Sequence, residues 1–281
     1  MIDRVPASIQ VPIEHDGHNG GTKSHDLVTV EEPLEIRIIH GKKRERLSLS
    51  VTMRTPGSDE ELAVGFLKGE GIIDNSDDIL GVHPVGTPSI DKGLINIVEV
   101  VLGPHHAFDP DTLTRHTYTS SSCGICGKTS LEAIAVAVGP RSPYQFPISE
   151  SDLRALPTKL HIKQIEFERT GGLHAAATFT SDGEIERIRE DVGRHNAVDK
   201  LVGSYLLESK MSMLSQRGLL LSGRASFELI QKAALAHITF VAAIGPPSSL
   251  AIELAEEQNI TLIGFLRHDR FNRYSGMGNG Q

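Results

Sequence analysis

From Leu27 onward apolar and polar residues alternate with a period of two, through LVTVEEPLEIRIIH and RERLSLSVTMR, and the two runs meet across His40-Gly41-Lys42. This pattern predicts antiparallel strands turning at the glycine. Pro56, Gly57 and Ser58 break it. After Asp59-Glu60-Glu61 the positions Leu62, Gly65, Phe66 and Gly69 share one helical stripe, predicting a helix that packs on those strands. Residues 79–85 read as a further strand, and LINIVEVVL (94–102) as a buried one. The proline-rich stretch 141–158 reads as a connector with one turn of helix. The small residues of 171–179, the turn Ser181-Asp182-Gly183 and EIERIRE predict a hairpin. A polar cluster, Glu190 to Asn196, then opens a helix whose Val198, Leu201, Val202 and Tyr205 share a face. The last third reads LLLS, helix 227–237, ITFVAAI, helix 250–258, ITLIGF. Such β-α-β-α-β alternation predicts parallel strands with a ligand crevice at their carboxyl ends. Those ends are Ser222-Gly223-Arg224, residues 245–249 and Phe265-Leu266-Arg267.

Residues 1–26 are rich in Gly, Pro, His, Asn and Asp and are expected to be a flexible or loosely attached tail. A β-rich N-terminal lobe over 27–115 and an α/β core over 116–281 complete the expected organisation. With 281 residues and 39% hydrophobic content the chain can bury a large core. Only two cysteines, and an N-terminus without the apolar stretch of a secretory signal, point to a reducing compartment, the cytoplasm. The apolar runs are too short to cross a bilayer. A formal net charge of −8 with dispersed acidic residues, no tryptophan and 5% aromatics argue against a nucleic-acid partner, while leaving room for a local basic pocket.

Both cysteines, Cys123 and Cys126, fall in TSSSCGICGKTSLE (119–132). Gly124 and Gly127 permit a tight turn that exposes the sulfurs. Thr129 and Glu132 match a capping box, so the pair precedes a helix whose N-terminal partial charge, with Lys128, favours thiolate. A thiolate attacks sulfur or binds metal. A structural zinc site would need histidines or a second subunit to complete four ligands. A thioredoxin-like disulfide is disfavoured because no clearly apolar strand leads into the motif. The histidines and aspartates of 105–116 lie in a segment that Pro104 and Pro110 mark as loop, and they read as solvated, not as a metal site. His174 lies among small residues that let a ligand approach, so it either faces a site or fills core.

SSSCGICGK, GGLHAAA, EDVGRHNAVDK, SGRASFELIQKA and IGPPSSLAIELA, in this order, resemble the FdhD/NarQ family of formate dehydrogenase accessory sulfurtransferases over about residue 27 to the C-terminus. The resemblance implies a cytidine-deaminase-like three-layer core. It implies a sulfurtransferase that receives persulfide sulfur from a cysteine desulfurase on Cys123 and passes it to the molybdenum bis-guanine-dinucleotide cofactor of formate dehydrogenase. Cys126 matches the motif's second cysteine. The family's cofactor segment maps onto Phe265, Leu266, Arg267, His268, Asp269 and Arg270. The predicted cofactor rim adds Ser222, Gly223, Arg224, His174 and Arg194, since turn amides and arginines suit a guanine nucleotide's diphosphate. A homodimer and no permanently bound metal are expected. Two alternatives stay open. One is a zinc-dependent deaminase-like hydrolase using His174, Cys123 and Cys126, from which the chain departs because Ala176 stands where that chemistry needs a glutamate. The other is a non-catalytic cofactor-insertion chaperone.

Overall fold

The computed structural model describes residues 7–15, 22–89, 93–104, 106, 108 and 146–276. The first element corrects the expectation of a tail. Ser8–His15 (β1) and Thr22–Thr29 (β2) pair antiparallel, Ser8 opposite Thr29 and His15 opposite Thr22. Ile9, Val11 and Ile13 carry a period-two signal inside a composition that looked loop-like, and Pro12 is tolerated because the ribbon is an exposed two-stranded one. Thr29 Oγ1 donates to Thr170 Oγ1 at 3.0 Å, tying the ribbon to the body.

The alternating segments after it form a four-stranded sheet. Glu32–His40 (β3) and Glu45–Arg54 (β4) are antiparallel, with a register shift at Ile36/Arg37. Asp59–Gly69 (α1) follows, then Ile79–Pro84 (β5) and Ile97–Leu102 (β6), giving the order β4-β3-β6-β5. The helix packs on the sheet as predicted, but Leu62, Ala63, Val64 and Leu67 meet Leu34, Ile36, Ile38, Val98 and Val100, whereas Gly65 and Gly69 of the predicted stripe face Asp199 and Lys232. Each large aliphatic side chain buried there contributes about 1.5–3 kcal/mol.

Glu150–Lys163 (α2) stands where the later part of the expected connector was read and runs past its end, and Ile165–Thr170 (α3) follows. Pro157 lies inside α2 and removes one helical hydrogen bond. Leu153, Leu156 and Leu160, at helical spacing, are buried against Phe146, Phe179 and Phe240, and this packing outweighs the proline. His174–Phe179 (β7), Ile185–Asp191 (β8), Arg194–Leu207 (α4), Gly218–Leu221 (β9), Phe227–Leu235 (α5), Phe240–Ala243 (β10), Ser249–Glu257 (α6), Thr261–Gly264 (β11) and Asn272–Arg273 (β12) complete the chain. Their sheet runs β12-β11-β10-β9-β7-β8. Leu219, Leu221, Val241, Ala243 and Leu262 meet α4, α5 and α6 on one face, whereas Leu220, Ala242 and Ile263 meet α2 on the other. The result is a three-layer mixed α/β body carrying the predicted C-terminal β-α-β-α-β unit.

The two larger sheets meet through their helices. Helices α1 and α4 cross at glycines: a Cβ on Gly65 would lie 1.8 Å from the Asp199 carbonyl oxygen, and one on Gly203 1.8 Å from that of Glu61. Beside them Lys232 Nζ lies 2.7 Å from Asp199 Oδ1, both buried. Burial pushes the Asp199 carboxyl up to about 6, against the pull of Lys232.

Candidate functional site

Cys123, Cys126 and the whole stretch 119–132 lie outside the described residues, as do most of 105–116; His106, which is described, is held by Asp78 Oδ1 at 3.3 Å and the Ile72 carbonyl at 2.7 Å. The describable site is therefore the sheet edge on which the other predicted residues fall. Strands β9, β10 and β11 are parallel, β7 is antiparallel to β9, and β8 antiparallel to β7, so β8 to β11 without β7 all end on one edge, where β7 begins. That edge collects the N-termini of α4, α5 and α6, whose exposed N–H groups favour negative charge. In spatial order it presents residues 265–270, 244–248, 222–226, His174 and 191–195.

Glycine makes this edge tight. Gly245 N donates to Gly223 O at 2.9 Å, and a Cβ on Gly245 would sit 2.9 Å from the Arg224 backbone. At Gly223 a Cβ would meet His174 Nδ1 at 3.3 Å, so the imidazole lies directly beside this turn. The Ser222 hydroxyl is committed to structure, accepting from Ala175 N at 2.8 Å. Burial first, and then the neighbouring Arg194, His195 and Arg224, lower the His174 pKa below its ordinary value.

The polar cluster at the start of α4 divides in two. Asp191 is fully buried and takes hydrogen bonds from Thr55 N (3.1 Å), Gly193 N (2.8 Å) and Asn196 Nδ2 (3.0 Å), with Lys200 Nζ at 2.6 Å. Glu190 accepts from Glu166 N and Phe167 N, and burial raises its pKa. These residues build the capping and ion-pair cluster. Arg194 and His195 belong to the rim instead. His195 Nε2 lies 2.9 Å from Glu228 Oε2 and 3.3 Å from Ser226 Oγ. The pairing with Glu228 was not foreseen from sequence. The signal was topological: both are the second residue of a helix that follows one of the co-directed strands.

At the far end of the rim Phe265 adopts φ 51° and is exposed, while Leu266 is fully buried in the core, so only its backbone reaches the edge. Arg267 Nη1 donates to Ile244 O at 2.6 Å and Leu266 O at 2.8 Å, which fixes its guanidinium without neutralising it. Phe265, Arg267, Arg270 and Asn272 line an open groove of about 270 Å³. His268 and Asp269 are exposed beside it, 4.0 Å apart. Among the described residues none of Arg194, Arg224, Arg267 and Arg270 has a carboxylate within 4 Å, although the charge of Arg194 acts on Glu228. In a chain of net charge −8, four such arginines on one edge make an anion-suited surface. Among the described residues no three His, Cys, Asp or Glu side chains are gathered as metal ligands, and no helix is long and apolar enough to cross a membrane.

A three-layer α/β protein with a basic rim on the carboxyl edge of its main sheet is the class that fold and site define. Within it, residues 29–279 match the FdhD/NarQ family, and the chain belongs to that family. It is 46% identical over 260 residues to the sulfur carrier protein FdhD of Streptomyces coelicolor, covering 89% of this chain and 88% of that protein. The Streptomyces avermitilis protein of the same name is 48% identical over 254 residues, with 89% and 88% covered, and that of Thermoplasma volcanium 42% over 257, with 91% and 90%. The fold is shared with the crystal structure of a candidate formate dehydrogenase accessory protein from Desulfotalea psychrophila. The TM-score is 0.69 at 21% identity, over 96% of this chain and 97% of that one.

Proposed function

We propose that the chain is a cytoplasmic sulfur carrier, acting as a homodimer, that takes persulfide sulfur from a cysteine desulfurase and passes it to the molybdenum bis-guanine-dinucleotide cofactor required by formate dehydrogenase. The observation that carries this is the motif Cys123-Gly124-Ile125-Cys126 in a family member close to proteins named sulfur carriers. In the loading step the Cys123 thiolate attacks the terminal sulfur of the desulfurase persulfide. The donor's S–S bond breaks, its cysteine leaves as thiolate, and Cys123 becomes the persulfide with no net oxidation. For release, the Cys126 thiolate attacks Cys123 Sγ, hydrosulfide departs, and the resulting disulfide is reset by a thiol reductant. Alternatively Cys126 only positions the persulfide. The rim supports the acceptor end of the reading: Arg224, Arg267 and Arg270 suit the cofactor's diphosphates, Gly223 admits close approach, and His174 and Arg194 border the same edge. The three-layer body is in keeping with the deaminase-like core that the family implies.

The test is maturation of formate dehydrogenase in a host lacking its own accessory protein. The Cys123→Ala variant is expected to leave the enzyme at background activity, with Cys126→Ala separating the two release routes. Full activity with Cys123→Ala would favour the chaperone reading and end the sulfur-carrier one.

A further inference from the structure

A carboxylate only accepts hydrogen bonds, so the 2.9 Å contact with Glu228 assigns the hydrogen of the His195 ring to Nε2. Nδ1 has no partner among the described residues, and the side chain is 31% exposed, open to a ligand on the rim. Ser226, the N-cap residue of α5, makes no cap hydrogen bond and instead sits 3.3 Å from His195 Nε2. This arrangement gives the free nitrogen two opposite characters. With a neutral ring Nδ1 carries a lone pair and repels an anion; with a charged ring it is a cationic donor.

The charged surroundings of the ring come from every neighbouring element. Asp191 ends β8, Arg194 and Asp199 lie on α4, Glu228 and Lys232 on α5, Arg224 on the turn before α5, and His174 at the start of β7. The arginines are permanently charged. Glu228 is held below the usual carboxylate range by its hydrogen bond to His195, and burial holds His174 below the usual imidazole range. Asp199 and Lys232 are buried and paired to each other.

We infer that His195, oriented by Glu228, is a ligand-contacting residue of the rim that donates through Nδ1 to the diphosphate of the bound acceptor only when its ring is charged. The inference rests on the rim being the acceptor's edge, and it adds a proton-dependent contact to the permanently charged arginines.

The experiment is calorimetric titration of the full chain with guanosine diphosphate near pH 6 and near pH 8.5, for wild type, His195→Gln and Glu228→Gln. The ligand's own phosphate titration is common to all three proteins, so the ratio of affinities isolates the histidine. His195→Gln is expected to bind about tenfold more weakly than wild type near pH 6 and equally near pH 8.5. Glu228→Gln, altered at a half-exposed position, is expected to lose part of the low-pH advantage as the ring loses its fixed orientation. A His195→Gln ratio that is the same at both pH values overturns the inference while leaving the rim in place. Failure of wild type to bind at either pH overturns the rim reading and this inference together.

Discussion

His174 is set by its neighbours more than by its own chemistry. Its place at the first position of β7, beside Gly223 and near Arg194, Arg224 and His195, combines burial with positive charge, and both disfavour the imidazolium. The sign of the resulting pH effect follows. The folded-state pKa lies below the unfolded value of about 6.5, so near and below that pH the unfolded chain binds more protons. His174 therefore leaves stability intact above pH 6.5 and lowers it as pH falls through that window. Ring titration by NMR is expected to place the His174 midpoint below 6.5, and His174→Gln is expected to flatten the acid limb of the stability curve. A midpoint at or above 6.5 would contradict this environment. From sequence, the strand of small residues already marked His174 as open to close approach. Arg194 and Arg224 were already grouped with it as rim residues, but their closeness to the ring, and that of His195, follows only from β8 and β9 lying on either side of β7.

At the scale of elements, the crossing of α1 and α4 sets how the two sheets meet. Gly203 faces the Glu61 carbonyl so closely that any side chain would have to push the helices apart, and the contact is backbone, which yields little. Gly203→Ala is expected to lower stability by about 1–3 kcal/mol despite the better helix propensity of alanine. Thermal unfolding reads this directly; an unchanged midpoint would mean that the crossing is looser than described. Elements with strong periodicity were legible in sequence, among them the β3–β4 pair, the hairpin at Gly183 and the closing β-α-β-α-β unit. Two were not. Helix α2 was hidden because Pro157 reads as a breaker, although Leu153, Leu156 and Leu160 carried the helical period and their burial decides the outcome. The β1–β2 ribbon was hidden because its alternation is interrupted by Pro12 and embedded in polar residues, so composition outweighed pattern.

At the scale of the whole molecule, chain direction in the main sheet is what assembles the rim. Residues as far apart in sequence as Arg194, Arg224 and Arg267 share one edge because each follows a strand running the same way, and an acidic protein thereby acquires a local cationic surface. The sulfur chemistry belongs to Cys123, and its most direct test is the intact mass of the full chain after incubation with a cysteine desulfurase and cysteine, followed by a thiol reductant. A gain of one sulfur atom on the wild type, removed by the reductant and missing from Cys123→Ala, is the predicted result. No sulfur gain on the wild type, or the same gain on Cys123→Ala, would contradict the assignment of this chain as a carrier working through Cys123.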